Sequence, residues 1–295
     1  MPRPGIACIT DAQVHLWEAD RPDRPWAPGG HANAHPLPAF SAAELLAEMD
    51  AAGIDRVVIV PPSWEGERND LALAAAAAHP ARFAVMGRFP IDPARAGELA
   101  GWRARPGMLG LRFVHRAGQD FLDPGIADGI WAAAERHGLP VMLSAPSQLA
   151  NIARIARAHP GLRIVIDHMA IPREAQDAPA FAHIPALCAL AALPNIAVKA
   201  SALPRFTAAP FPFTPVHAPL RRVVAAFGPR RVFWGTDLTG LPCSYAEALD
   251  FIDAALPDLG TEDRAWLLGR GIAAWLGWPD PSGGLAPRAG TSSRP

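Results

Sequence analysis

Three polar residues, His15, His168 and Asp237, are the strongest candidates for chemistry in this sequence. His168 and Asp237 come two and three residues after short apolar runs, and His15 comes five residues after another. Histidine and aspartate are side chains that enzymes commonly use as general acids and bases. If the runs are strands of one parallel barrel, their carboxyl ends lie on one rim, where barrel enzymes place catalysis. The three residues therefore predict a polar catalytic site above an apolar core.

Other polar and aromatic residues follow the remaining apolar runs and would share this rim. Arginines there suggest an anionic small-molecule substrate, because a guanidinium holds a carboxylate through charge-assisted hydrogen bonds. The residues that we expect to contact the substrate are Arg112, Arg205, Lys199, Ser144, Gln13, Trp17, Trp26 and Trp64. Structural roles stay open for some of them. Arg112 could pair with Asp167, Lys199 could pair with Asp237 across the rim, and the tryptophans could serve only in packing.

A long polar loop, residues 18–40, is rich in proline and glycine. Loops of this length in compact domains are usually functional or disordered. We predict that the loop covers the site and that Trp26 is its main contact. His31, His35 and His217 lie in polar, proline-rich segments, and we interpret all three as solvated.

Eight short apolar runs alternate with helical segments along the chain. The predicted strands are residues 7–10, 56–60, 83–87, 109–113, 141–143, 163–166, 196–199 and 232–234. Ser41 with Glu44, and Ser244 with Glu247, have the spacing of a helix capping box. Asp123 before a proline predicts a further helix start.

This alternation predicts an α/β fold, a (β/α)8 TIM-type barrel in a single domain. A doubly wound open sheet would need a glycine-rich phosphate turn after an early strand, and the sequence contains no G-x-G-x-x-G motif. The barrel is predicted to span residues 1–280. Residues 281–295, rich in Gly, Pro, Ser and Arg, are predicted to form a disordered tail.

Composition and charge exclude several classes of partner. The formal net charge of −1 argues against an extended surface for nucleic acid or anionic lipid. No segment approaches the roughly 20 apolar residues of a membrane helix, and the first residues do not resemble a secretory signal. Three widely separated cysteines do not form a disulfide framework and suit a reducing compartment. We therefore predict a cytoplasmic protein that acts on a small molecule, and we leave a homo-oligomer open.

Five segments in order along the chain resemble the amidohydrolase-related family of the amidohydrolase superfamily, which includes 2-pyrone-4,6-dicarboxylate lactonase and the sugar lactonases. They are D-A-Q-V-H-L-W at 11–17, G-L-R-F at 110–113, V-I-D-H-M at 165–169, V-K-A-S at 198–201 and W-G-T-D at 234–237. The resemblance runs from residue 11 to about 278. It implies that Asp237 is the base that activates water and that Arg112 and Arg205 hold substrate carboxylates.

The resemblance also raises the question of a metal, which the superfamily holds on histidines and an aspartate. His15, His168 and Asp237 match three of those ligand positions. Gln13 stands where the family has the first histidine of its His-x-His motif, and Ser144 where many relatives have another histidine. A neutral amide oxygen is a poor zinc ligand and a serine is poorer. Because the lactonase branch works without a metal, we expect either none or one weakly held divalent ion, zinc or manganese.

The resulting hypothesis is a hydrolase for a lactone or related activated ester of a small carboxylated molecule. His15 and His168 would polarise the carbonyl while Asp237 takes a proton from the attacking water. One alternative is a metal-dependent decarboxylase of an aromatic or unsaturated acid, a lyase. The other is a small-molecule-binding barrel without catalysis, since a fold never guarantees an activity.

Overall fold

A computed structural model describes residues 5–116 and 118–279 of the chain. Within these residues, eight parallel strands follow one another around a barrel in sequence order. The strands are β1 (Thr10–Val14), β2 (Arg56–Ile59), β3 (Phe83–Arg88), β4 (Met108–Val114), β5 (Val141–Ser144), β6 (Ile164–Ile166), β7 (Ile196–Ser201) and β8 (Val232–Gly235). The prediction of a single-domain (β/α)8 barrel is confirmed. The predicted disordered tail, 281–295, lies outside the described residues.

Helices connect the strands. In the described part of the chain they are α1 (Ala42–Ala52), α2 (Asp70–Ala78), α3 (Asp128–Arg136), α4 (Leu149–Ala158), α5 (Asp177–Ala180), α6 (Ile184–Ala189), α7 (Thr214–Phe227), α8 (Tyr245–Ala255), α9 (Thr261–Ala265) and α10 (Gly271–Leu276). A 3-10 helix, Pro93–Ala104, connects β3 to β4, and a π-helical turn, Trp266–Arg270, joins α9 to α10. None of the helices described is long and apolar enough to cross a bilayer.

The helix starts follow the local sequence in two places and depart from it in a third. Ser41 caps α1 and Ser244 caps α8, each through a reciprocal capping box with the glutamate three residues later, as predicted. The predicted start at Asp123 is wrong, because α3 begins only at Asp128. The carboxylate of Asp123 accepts from the amide of Asn151 instead, and Gly125 takes a left-handed φ of 86° that interrupts a helix there.

Strand β1 begins later than its apolar run suggested. The prediction of residues 7–10 is wrong, since the strand runs from Thr10 to Val14 and all five of its residues are buried. Polar residues continue this strand because Asp11 and Gln13 find hydrogen-bond partners inside the protein. As a consequence, His15 directly follows the strand and lies at the mouth of the barrel.

The barrel interior changes from apolar to polar towards the carboxyl ends of the strands. One apolar cluster takes a side chain from every strand: Ala12, Val58, Met86, Leu109, Met142, Val165, Ala197 and Phe233. Nearer the mouth, Arg112, Asp167 and Lys199 are buried in contact with one another. This polar layer separates the apolar filling of the barrel from the cavity above it.

The seam between β8 and β1 is joined by one buried carboxylate. Asp11 accepts hydrogen bonds from the backbone N–H groups of Gln13 and Thr236, both at 2.9 Å, and from the hydroxyls of Thr236 and Tyr245. The backbone N–H of Asp237 donates to the carbonyl of Gln13 at 2.8 Å. A Cβ at Gly235 would lie 3.0 Å from Asp11 Oδ1, so glycine is what permits this close approach.

The charge on Asp11 should make the stability of the protein depend on pH. Burial raises its pKa to about 6, although its hydrogen bonds partly offset the effect. The native state therefore binds this proton more tightly than the unfolded chain, and stability falls as pH rises from about 4 through 6, by about 3 kcal/mol. In Asp11→Asn, the amide can accept from the backbone N–H groups and donate to the two hydroxyls. We expect the variant to gain this amount over the wild type between pH 4 and pH 7 in urea unfolding.

Asp258→Asn is the matched control, because Asp258 is exposed after α8. Its difference from the wild type should stay constant over the same pH range. A constant difference for Asp11→Asn as well would contradict the assignment.

Candidate active site

A cavity of about 690 Å³ opens at the carboxyl ends of the strands. Predicted site residues that line it are His15, Trp64, Arg112, Ser144, His168, Arg205 and Asp237. The others take supporting places. Gln13 and Lys199 lie in the polar layer below the cavity, while Trp17 and Trp26 stand behind Trp64 rather than on the cavity wall.

Asp237 and His15 form a close buried pair in the cavity. His15 Nε2 lies 3.1 Å from Asp237 Oδ1, and both side chains are buried. The other ring nitrogen of His15, Nδ1, donates to the carbonyl of Val60 on the neighbouring strand. Burial alone would raise the pKa of Asp237, but the adjacent histidines outweigh it and hold that pKa well below its ordinary value. Asp237 is therefore a carboxylate at neutral pH.

His35 completes this group, and the expectation that it is solvated is wrong. Only 7% of the residue is exposed. Its Nδ1 lies 2.5 Å from Thr239 Oγ1, and its Nε2 lies 3.8 Å from Asp237 Oδ2. Burial lowers its pKa to about 4, although the charge of Asp237 opposes the effect and the nearby positive charges add to it, so His35 is neutral at pH 7. No local sequence signal marks it, because its partners follow about 200 residues later in the chain.

His217 and His31, the other two histidines predicted to be solvated, differ in their exposure. His217 is buried as well, with 8% exposed, because its Nε2 donates to the carbonyl of Pro212, so its predicted solvation is wrong. His31 is exposed, as predicted, and pairs with Asp20.

The β1–α1 loop, residues 18–40, reaches the cavity through Asn33 and His35. Trp26, the contact predicted from the sequence, donates its Nε1 to the carbonyl of Glu18 and packs against the ring of Trp64. It therefore supports the wall of the cavity without forming part of it.

His168 lies on the opposite side of the site. Its Nδ1 is 2.8 Å from the hydroxyl of Ser201, which is fully buried at the end of β7. Burial lowers the pKa of His168, with Lys199 and Arg112 adding to the effect, while Asp237 and Asp167 oppose it. A neutral ring that accepts from Ser201 at Nδ1 carries its hydrogen on Nε2, where it can act as a donor.

A chain of buried polar contacts connects the two sides. Lys199 donates to Gln13 Oε1 at 2.6 Å and lies 2.9 Å from Asp167 Oδ1, and Arg112 Nε donates to Asp167 Oδ2 at 3.2 Å. Burial alone would raise the pKa of Asp167, but Lys199 and Arg112 lower it to about 2. The predicted alternative for Arg112, pairing with Asp167, is therefore realised, while the predicted partner of Lys199, Asp237, is replaced by Asp167.

Further arginines line the cavity without an acidic partner. Among the residues described, no carboxylate forms an ion pair with Arg116, Arg173 or Arg205. Arg116 donates to Ser63 Oγ and Arg173 donates to the carbonyl of Asn33. No motif or spacing in the sequence marks Arg173, although it stands in the loop after β6, where side chains reach a barrel mouth.

Three residues at the strand ends take left-handed backbone conformations. The φ angles are 50° at His168, 57° at Ala202 and 57° at Asp237. Such conformations at residues other than glycine cost about 1–3 kcal/mol each and cluster at functional sites. Here they turn the chain sharply at the ends of β6, β7 and β8. The side chains of His168 and Asp237 are thereby fixed at the cavity.

The donor atoms around Asp237 fit a divalent metal. One ligand atom each from His15, His35 and Asp237 lies within 4.8 Å of the others, and all three residues are buried. Two imidazole nitrogens and a carboxylate oxygen are a common set in catalytic zinc sites. The set predicted from the sequence held His168 in place of His35, and His168 lies outside this group.

Comparisons with known proteins identify the family. Residues 10–278 match the model of a family described as Amidohydrolase. The chain is 31% identical to L-fucono-1,5-lactonase of Burkholderia ambifaria over 238 residues, which cover 77% of this chain and 79% of that protein.

Solved structures share the fold. An amidohydrolase from Burkholderia multivorans with bound zinc has a TM-score of 0.78 at 24% identity, covering 92% of this chain and all of that one. A probable 2-pyrone-4,6-dicarboxylic acid hydrolase from Acinetobacter baumannii with bound citric acid has a TM-score of 0.74 at 17% identity, covering 92% and 99%. Decarboxylases occur among such structures as well, so the fold alone does not select the reaction.

Loss of one charge from the polar layer should lower the stability of the protein. Lys199→Met leaves Asp167 buried with Arg112 as its one remaining cation, and breaking a buried pair typically costs about 3–5 kcal/mol. We expect a loss of that size in the free energy of unfolding, measured in urea. The double variant Lys199→Met/Asp167→Asn should recover part of it, because the unpaired charge is removed.

Arg95→Met is the control, since Arg95 pairs with Glu98 on the surface and should leave stability nearly unchanged. Equal effects of Lys199→Met and Arg95→Met would show that the buried layer carries no special energetic weight.

Proposed function

The chain belongs to the amidohydrolase family, and we propose that it hydrolyses the lactone ring of a small anionic molecule. In this reaction Asp237 acts as the general base that takes a proton from water. The observation that carries the proposal is the buried carboxylate of Asp237, fixed at the cavity between His15 and His35. The similarity to a lactonase supports a lactone as the substrate.

The low pKa of Asp237 bears on the kind of bond that is broken. A carboxylate whose pKa lies well below its ordinary value stays ionised at neutral pH but is a weak base. A weak base is sufficient where the carbonyl is already reactive, as in a lactone, and is less suited to an unactivated amide. The direction of this pKa shift is compatible with an activated ester, and the similarity to a lactonase is what supports a lactone as the substrate.

His168 is placed to act on the carbonyl. With Ser201 donating to its Nδ1, its Nε2–H can donate a hydrogen bond within the cavity. A donor aimed at the oxygen that becomes negative stabilises the transition state more than the ground state. His15 has a different part, since its contacts with Val60 and Asp237 orient the base.

The arginines of the cavity would recognise the anionic group of the substrate. Arg205, Arg173 and Arg116 line the cavity with no carboxylate partner in the part of the chain that the structure describes, so a substrate carboxylate can neutralise them. Arg112 contributes less to this selection because its Nε is held by Asp167.

A divalent metal, where one is bound, would be held by His15, His35 and Asp237, and it would supply Lewis-acid activation. Orientation of the carbonyl by His168 and of the anionic group by the arginines does not depend on it.

Asp237→Asn tests the base. Asparagine tolerates the left-handed backbone at this position, so the fold should be kept. Loss of general-base catalysis should lower kcat by about 10²–10⁴-fold with a small change in KM. The assay follows proton release with a pH indicator over a panel of five- and six-membered lactones, neutral and carboxylated.

Asp258→Asn, which alters an exposed aspartate far from the cavity, should keep full activity. Retention of activity by Asp237→Asn would refute the assignment of the base. Release of carbon dioxide from a carboxylated aromatic, without a ring-opened product, would support the decarboxylase instead.

Arg205→Met tests the preference for an anion. A hydrogen bond to a charged group is typically worth about 1.5–3 kcal/mol, so kcat/KM for carboxylated lactones should fall by about 10–150-fold. Neutral lactones should change much less. Arg157→Met, at an exposed position on α4, serves as the control. An equal loss for neutral and carboxylated lactones would contradict the role of Arg205 in selection.

A further inference from the structure

We propose that His35 supplies the third ligand of a zinc site, so that metal binding ties the β1–α1 loop to the mouth of the barrel. The other two ligands are His15 and Asp237. The proposal concerns metal binding and does not depend on lactone hydrolysis.

The orientation of His15 provides the first argument. A carbonyl oxygen can only accept, so the contact with Val60 places a hydrogen on His15 Nδ1. In the neutral ring the lone pair of Nε2 then faces Asp237 Oδ1 at 3.1 Å, so either a proton or a metal ion has to lie between these two atoms. Apart from His15, none of the described residues donates a hydrogen bond to this buried carboxylate oxygen. Two acceptors that face each other in a buried site are stabilised by a cation between them.

The distances provide the second argument. Two ligands bonded to zinc at about 2.1 Å and in tetrahedral arrangement are about 3.4 Å apart. His15 Nε2 lies 3.1 Å from Asp237 Oδ1, and His35 Nε2 lies 3.8 Å from Asp237 Oδ2. These two distances lie on either side of about 3.4 Å. The separation of 3.8 Å is too long for a hydrogen bond, yet it suits two ligands of one ion.

His35 is held in place for this role by contacts on several sides. Its Nδ1 meets the hydroxyl of Thr239, which leaves Nε2 directed towards Asp237. Its ring lies 5.1 Å from that of Trp64 and 6.0 Å from that of Trp17. A partner at one nitrogen and a metal at the other is the usual arrangement of a ligating histidine.

Strand β1 cannot supply this ligand. The amide oxygen of Gln13 is taken by Lys199 at 2.6 Å, and its amide nitrogen is the group that faces His15. An amide nitrogen does not ligate a metal, so β1 and its end provide His15 alone. The ligand is instead provided by a histidine 20 residues beyond His15, on a loop.

The chemistry of the donors selects the ion. Two imidazole nitrogens and one carboxylate oxygen favour zinc, with cobalt as a spectroscopic substitute, over magnesium or calcium, which prefer oxygen ligands.

Zinc titration of the chelator-stripped full chain, against a chromophoric competitor, tests the site. We expect one equivalent to bind to the wild type. His35→Ala should bind more than about 100-fold more weakly, since loss of a ligand exceeds the 10–100-fold effect of losing an outer partner. His35→Gln keeps a side chain that can bond Thr239, and it should show the same loss if His35→Ala does not fold.

Two further variants separate this site from its alternatives. His31→Ala removes an exposed histidine of the same loop and should leave the affinity unchanged. His168→Ala should change it by less than about 10-fold, because His168 acts at most as an outer group. A loss in His168→Ala as large as in His35→Ala would overturn the assignment, and so would a wild type that binds zinc no more tightly than His35→Ala.

Hydrogen exchange measured by mass spectrometry gives a readout independent of affinity. Zinc should slow exchange in residues 18–40 of the wild type but not of His35→Ala. Equal protection in both proteins, or none in the wild type, would show that the loop does not provide a ligand.

Discussion

The geometry of the site depends on how the barrel closes between its last strand and its first. The carboxylate of Asp11 binds the backbone of β1 and the residue that follows β8, and the N–H of Asp237 bonds to Gln13. His15 and Asp237 follow these two strands, so the seam sets the distance between them. A buried charge is a costly way to hold a seam. Its advantage is geometric, because one carboxylate with four donors fixes both strand ends at once.

Above the seam, Gln13 belongs to the buried polar layer of Lys199, Asp167 and Arg112. The amide oxygen of Gln13 accepts a hydrogen bond from the ammonium of Lys199. Lys199 in turn neutralises Asp167, which also receives Arg112. The glutamine is thus part of a continuous chain of charges and dipoles that ends at His15. Such a chain favours a single arrangement, because removal of any member leaves a buried charge or dipole without its partner.

The fold was predictable because its signals are local. Apolar runs and capping boxes lie within a few residues of each other, and the eight strands and the starts of α1 and α8 follow from them. The start of β1 was misjudged because its polar residues are satisfied by distant partners such as Thr236 and Tyr245. The burial of His35 was missed for the same reason, since Thr239 stands 204 residues later. Arg173 was missed because no spacing marks a side chain whose role comes from the cavity around it.

We expect Asp237 to contribute to catalysis more through its fixed position than through its basicity. Because the adjacent groups hold the pKa of Asp237 below its ordinary value, we expect fixed placement and activation of the carbonyl to contribute to catalysis alongside the base. The left-handed residues at the ends of β6, β7 and β8 serve that purpose, because a strained but rigid turn allows few other directions for the side chain. The strain is tolerable in a barrel with a large buried core. The rigid backbone at the strand ends therefore compensates for the low basicity of Asp237, because it holds the carboxylate in one position.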